Sequence, residues 1–238
     1  MTKNYNDLGV EFKYLIVNDM DQKFGLWVNT VGFQSIQPNS PYPLKDHPSG
    51  YFFNAQKGRV LREYQLVYIT KGRGLFTSET TPEKQVCKGR LMVLFPGQWH
   101  TYHPYQQTGW NEYYIGFEGP VIDDMLKGGF LSKDNQVLEV GLNEELVTLF
   151  SRALEIAEAD KISSQQYLSG IVLHMIGMIL SISKNKIFEV GDVDQKIEQA
   201  KIIMNENVFK DPTKRLFMYR QSWRLLVHSR NGNACSPS

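Results

Sequence analysis

Between Arg62 and Gly119, hydrophobic positions come in short runs rich in β-branched and aromatic residues, each closed by a turn former. REYQLVYITKGRG ends on Gly72 and Gly74, and LFTSETTPEKQVC folds back at a Thr-Pro turn. GRLMVLFPG is a short apolar run stopped by Pro-Gly, and GWNEYYIGFEG is an aromatic run bounded by glycines. Runs of this length and spacing predict strands of a small barrel or sandwich. The preceding segment behaves differently. QPNSPYPLKDHPSGYFF holds four of the ten prolines, too many for a helix. It predicts a loop over Tyr42 to Pro48 that presents Tyr42 and His47. GLWVNTVGF (Gly25 to Phe33) fits an edge strand.

After Asn143 the period changes from two to about 3.6. Leu146, Leu149, Phe150, Ala153, Leu154 and Ala157 fall at helical spacing, with Asn143 as N-cap and Glu144 and Glu145 in the first turn. A second helix is predicted from Ser163 or Ser164 to about Ser183. Its apolar positions overfill one stripe, so the helix is expected to be buried on two sides. One side would meet the barrel and the other a second subunit, with Leu168, Ile171, Val172, Met175 and Ile179 at a homodimer interface. A third amphipathic helix is predicted over Asp192 to Asn207 through Ile197, Ala200, Ile203 and Met204.

Composition changes this picture little. The 238 residues are 42% hydrophobic and 21% charged, as in ordinary globular proteins. The net charge of +1 conceals a basic tail: from Lys214 on there are five basic residues and no acidic one, which leaves the remainder mildly acidic, without a basic face for nucleic acid. Cys87 and Cys235 do not suggest a disulfide framework. The start has no signal pattern, and the longest nearly apolar run, IVLHMIGMIL, is shorter than the ~20 residues a bilayer needs. A cytoplasmic protein without a membrane segment is expected.

The ordered elements over residues 60–120 resemble the sensor domain of AraC-type transcription regulators. The carrying stretches are EYQLVYITKGRG, GRLMVLFPGQWHTY and GWNEYYIGFEG. Gly89, Pro96, Gly97 and His100 also resemble the second cupin motif. The resemblance implies a cupin-like jelly-roll barrel over residues 1–140, including an N-terminal arm, and dimerisation helices over 141–190. It further implies a first-helix stub of a helix-turn-helix domain over 191–213. In such regulators the arm helps to close over ligand, which makes Tyr42 and His47 candidate lid residues. Residues 214–238 depart from the family: they carry no second or third helix of that domain and read like out-of-frame sequence. The DNA-binding half is therefore expected to be missing, with at most weak, salt-sensitive DNA binding left to the tail.

The chemical candidates gather in LFPGQWHTYHP. His100 and His103 are three apart, as metal ligands can be. Metal-binding cupins, however, carry an earlier His-x-His, which this chain lacks, and alternation along a strand sends His100 and His103 to opposite faces. No metal or other cofactor is expected. If His100 points inward, Tyr102 shares its face; on the next strand Glu112 and Tyr114 share one too. These groups, with contributions from Trp110, Trp27, Arg62 and Tyr64, make a ligand pocket suited to a sugar or other small polar molecule. The competing reading is that the aromatic residues simply fill a small barrel. No nucleophile elbow, phosphate loop or His-Glu-x-x-His motif is present. A sensor and not an enzyme is expected; the alternatives are a small cupin enzyme acting on a sugar, and a binding protein that titrates full-length partners through mixed dimers.

Overall fold

The computed structural model describes residues 10–43, 54–184 and 200–202. Its long central strand, β4 (Tyr64–Ser78), belongs to two layers. The first half of β4 pairs antiparallel with β8 (Trp110–Glu118) and β6 (Arg90–Leu94). The second half pairs with β5 (Lys84–Cys87) and β7 (Trp99–Pro104). The passage between layers falls at a register shift between Ile69 and Lys71, followed by Gly72 at φ +78°. A side chain at Gly72 would overlap the Gly109 carbonyl, so the close approach of the two chains there requires glycine.

The first layer continues outward in both directions. On one side β8 pairs with β2 (Trp27–Ile36), which pairs with β1 (Val10–Tyr14); on the other, β6 pairs with β9 (Val137–Glu139). The two-residue β3 (Arg59–Val60) pairs with β7. The result is mainly antiparallel β structure with helices, as expected, although the described strands do not hydrogen-bond into one closed ring. Two short helices, α1 (Asp19–Lys23) and α2 (Pro120–Lys127), have too few residues to give a helical period and were not anticipated.

α3 (Glu144–Ala159) starts where the sequence places it: the Asn143 side chain accepts the Leu146 N–H at 3.0 Å. Tyr68 fixes this start from below, donating to the Gly141 carbonyl at 2.7 Å and accepting from the Asn143 N–H at 2.9 Å. Phe150 then stacks on Tyr68 (centroids 6.3 Å) and tilts against Tyr113 (5.6 Å). α4 (Ser164–Lys184) lies on β2. Gln165 accepts from the Val28 N–H and donates to the Val28 carbonyl, each at 2.9 Å, beside the bulge between Val28 and Thr30. The hydroxyl of Ser169 donates to the Leu26 carbonyl at 2.6 Å.

This docking corrects the expected interface. Leu168, Ile171, Val172, Met175 and Ile179 are at most 4% exposed because they pack into the chain's own core with Val28, Phe33, Ile115 and Phe150. They form the internal face of α4, and its outward face carries Tyr167, Gly170, Leu173, His174 and Gly177. Sheet and helices share one core, so the expected boundary near residue 140 does not divide the packing. By length and composition α4 could cross a membrane (mean hydropathy 1.5), a property the ten-residue apolar run understated. Residues 200–202 are helical, with Ile202 buried in the same core and Lys201 paired to Glu144 at 2.8 Å. The remainder of the third predicted helix and the basic tail lie outside the described residues.

Because Phe150 joins helix to sheet, Phe150→Ala is expected to cost roughly 3–5 kcal/mol in urea unfolding. A loss below about 1 kcal/mol, with helices melting apart from strands, would instead favour two separately folding units.

Candidate functional site

The pleat of β8 sorts its side chains. Tyr113, Ile115 and Phe117 point to the helices, whereas Trp110 and Tyr114 pack with the apolar cluster between the two β layers. Glu112 shares their parity along the strand and is 3% exposed. On β7, alternation turns His100 (1% exposed) and Tyr102 (5%) inward. The structure thus brings together His100, Tyr102, Trp110, Glu112 and Tyr114. Opposite Tyr114 stands Gly32, where any side chain would overlap the tyrosine ring.

Two residues complete this cluster. Arg59 on β3 donates from Nη2 to the Tyr102 hydroxyl at 2.8 Å and to Gln65 Oε1 at 3.4 Å. Its Nε donates to His100 Nε2 at 3.4 Å. That bond leaves the imidazole proton on Nδ1, which faces the Gln98 carbonyl at 3.1 Å. Tyr42, from the proline-rich loop, donates its hydroxyl to Glu112 Oε2 at 3.2 Å. The rings of Tyr42, Tyr102 and Trp110 lie 5.9–6.4 Å apart, with Tyr42 edge-on to Trp110. A polar run therefore passes from Gln98 through His100, Arg59 and Tyr102 toward Tyr42 and Glu112.

Burial sets the protonation of these groups. It pushes the Glu112 carboxyl up to about 7, against the opposing effects of the Tyr42 bond, Arg59 and the nearby Trp110 indole. It holds His100 down to about 4, helped by Arg59, so the ring is neutral and accepts from the guanidinium. The Tyr102 hydroxyl is raised to about 12 by burial and stays a donor. Two donors of this cluster fall short of a full hydrogen bond: the Trp110 indole N–H, which is directed at Glu112, and the Tyr114 hydroxyl, which lies beside Gln34.

Three expected site residues stand elsewhere. Arg62 is exposed, because the bend at 62–63 before β4 turns it outward. Tyr64 belongs to the helix-side face of β4, where its hydroxyl donates to Asp123 at 2.8 Å and its ring stacks with Phe117. Trp27 is half-buried at the far end of β2, opposite Glu118 and eight register positions from Trp110 along β8. His103 faces away from His100 and lines a cleft of about 630 Å³ with Tyr42, Ala55, Pro104, Tyr105 and Gly109. Tyr42 thus borders the cleft with its ring and reaches Glu112 with its hydroxyl. Among the described residues, no group of three or more His, Cys, Asp or Glu is placed to hold a metal ion. His174 pairs with Glu145 at 3.2 Å on the surface, and His47 lies outside the described residues.

The family model described as the AraC-like ligand binding domain matches residues 42–176, more than half of the chain. Among solved structures, the chain is similar to YhaK from Escherichia coli (10% identity, TM-score 0.34), with 49% of this chain and 47% of that one covered. It is also similar to a cupin protein from Bacteroides fragilis (10% identity, TM-score 0.29; 40% and 68% covered). A third likeness is to a predicted oxalate decarboxylase from Thermotoga maritima (16% identity, TM-score 0.30; 45% and 78% covered). Among curated proteins there is no match.

The state of Glu112 gives a pH signature. A carboxyl raised from 4.5 to about 7 binds its proton more tightly in the folded protein than in the unfolded chain. Its contribution to stability is thus full below 4.5 and is lost as pH rises toward and past 7. Glu112→Gln is expected to melt with the wild type at pH 4.5 and above it at pH 8. Equal melting temperatures at pH 8 would contradict a carboxyl ionised in a dry site.

Proposed function

Because the chain belongs to the AraC-like ligand-binding domain family, we propose that it is the ligand-sensing and pairing part of an AraC-type transcription regulator. In this reading it is cytoplasmic, responds to a sugar or other small polar metabolite, and is not an enzyme. One observation carries the sensing role: a connected set of buried polar groups around Glu112, Tyr102, His100 and Arg59, with the Trp110 and Tyr114 donors short of a full hydrogen bond. A buried polar group without a partner costs about 1–3 kcal/mol, which a hydroxylated ligand would recover. Tyr42 couples the site to the arm. A ligand that competes for Glu112 favours a different arm arrangement, and that difference in affinity is what can shift the output.

The output would be DNA binding by the part of the regulator that follows residue 191, in this chain or in a longer partner. Pairing with a second copy fits the outward face of α4, where Tyr167 is 48% and Leu173 36% exposed beside two glycines. A second reading, a small cupin enzyme acting on a sugar, is favoured by the Glu112 carboxyl near 7, the range where general acid–base groups work best. Conversion of a bound sugar, lost in Glu112→Gln, would select the enzyme; binding without turnover selects the sensor.

Calorimetry against a panel of sugars and polyols is expected to find a ligand whose affinity falls about tenfold in Tyr102→Phe, as for one lost hydrogen bond in a buried site. Unchanged affinity would place binding elsewhere. In sedimentation, Leu173→Asp is expected to weaken self-association at least about tenfold. An unchanged dimer would remove the α4 face from the account.

A further inference from the structure

Among the described residues, and apart from Asp21 in the α1 cap, two carboxyls are buried, Glu63 and Glu112. Glu63, 3% exposed, accepts the Thr30 hydroxyl at 3.3 Å and is further held by the Asn29 amide. Glu112, equally buried, accepts the Tyr42 hydroxyl at 3.2 Å and has the Trp110 indole N–H directed at it. No Lys, Arg or His forms an ion pair with it among the described residues. Arg59, the guanidinium that acts on it, spends its described hydrogen bonds on Tyr102, Gln65 and His100. Around Glu112 stand the rings of Tyr42, Tyr102 and Trp110.

A carboxylate buried without a cation is costly, and it can be neutralised either by a proton or by a positive group. A neutral sugar supplies hydroxyls but no charge, so it leaves Glu112 in the same difficulty. A positively charged nitrogen answers both features of the site: it pairs with the carboxylate and lies against aromatic faces, which attract cations. Its other end would meet the Tyr114 hydroxyl, a donor for hydroxyl or ether oxygens. We propose that the ligand of this domain is a hydroxylated organic amine, bound through its ammonium group to Glu112 among the rings of Tyr102 and Trp110, in place of the Tyr42 hydroxyl. This rests on the sensing role proposed above and narrows its ligand class.

The test pairs charged and neutral molecules of matched shape: glucosamine with glucose, and ethanolamine with ethylene glycol. Each is titrated against the full chain at pH 7.5 in a thermal-shift and calorimetric assay. At least one amine is expected to bind about tenfold or more tightly than its neutral partner, as one pairing with a buried charge would give. That preference should vanish in Glu112→Gln and persist in Glu63→Gln. If Glu112→Gln fails to fold, Glu112→Asp keeps the charge but draws it back, and should weaken amine binding while retaining the preference. Neutral partners binding as well as the amines would overturn the proposal and leave the sensing role standing. A preference unaffected by Glu112→Gln would overturn it too. If no member of either set binds, the proposal falls, and a sugar found in the broader panel would show that sensing survives without it.

Discussion

Strand β8 is buried on both faces, and its pleat sets the terms for the rest of the molecule. One face must be apolar to receive α3 and α4, and Tyr113, Ile115 and Phe117 make it so. The other face carries Trp110, Glu112 and Tyr114 into the space between the layers. A register slip of one residue would exchange these sets, placing a carboxyl under the helices and phenylalanine in the polar run. The contacts that fix the register are therefore contacts that build the site: the pairing with β2 and β4, Gly32 under Tyr114, and Phe150 wedged against Tyr113 and Tyr68.

Seen this way, the helices hold the floor of the site from behind, and the loop bearing Tyr42 closes it from the front. Gln165 clamps α4 to the backbone of β2, and Ser169 to Leu26 just before it, on the far side of the sheet from Glu112. The interior between these two supports holds a connected run of buried polar groups. Replacing buried ionisable groups by apolar ones of similar volume is commonly neutral or stabilising. The proposed ligand would give His100, Arg59, Tyr102 and Glu112 a common role there.

Much of this was legible in the sequence where a period persisted. Alternation along WHTYHP and WNEYYIGFE put His100 with Tyr102, and Glu112 with Tyr114, because both strands run without a break. The same reasoning failed where the phase is reset. A bend separates β3 from β4, so Arg62 points outward while Arg59, in a strand of two residues, points in. No periodicity exists in two residues, and Arg59 meets His100 across 41 positions of chain. Tyr64 was misplaced by the same lost phase. For α4, hydrophobic pattern located the helix but could not say which of its apolar residues met the sheet: Leu168, Ile171, Val172, Met175 and Ile179 were assigned to a partner and belong to the core.

If the space beside Glu112 is a binding site and not plain core, a bound molecule will be visible there. A high-resolution electron-density map of the protein crystallised with its best-binding small molecule tests this most directly. Density is expected bonded to Glu112 and to the Arg59–Tyr102 pair, with the Tyr42 hydroxyl released from Glu112. Density elsewhere, with Tyr42 still on Glu112 and both Trp110 Nε1 and Tyr114 Oη satisfied by protein atoms, would contradict it.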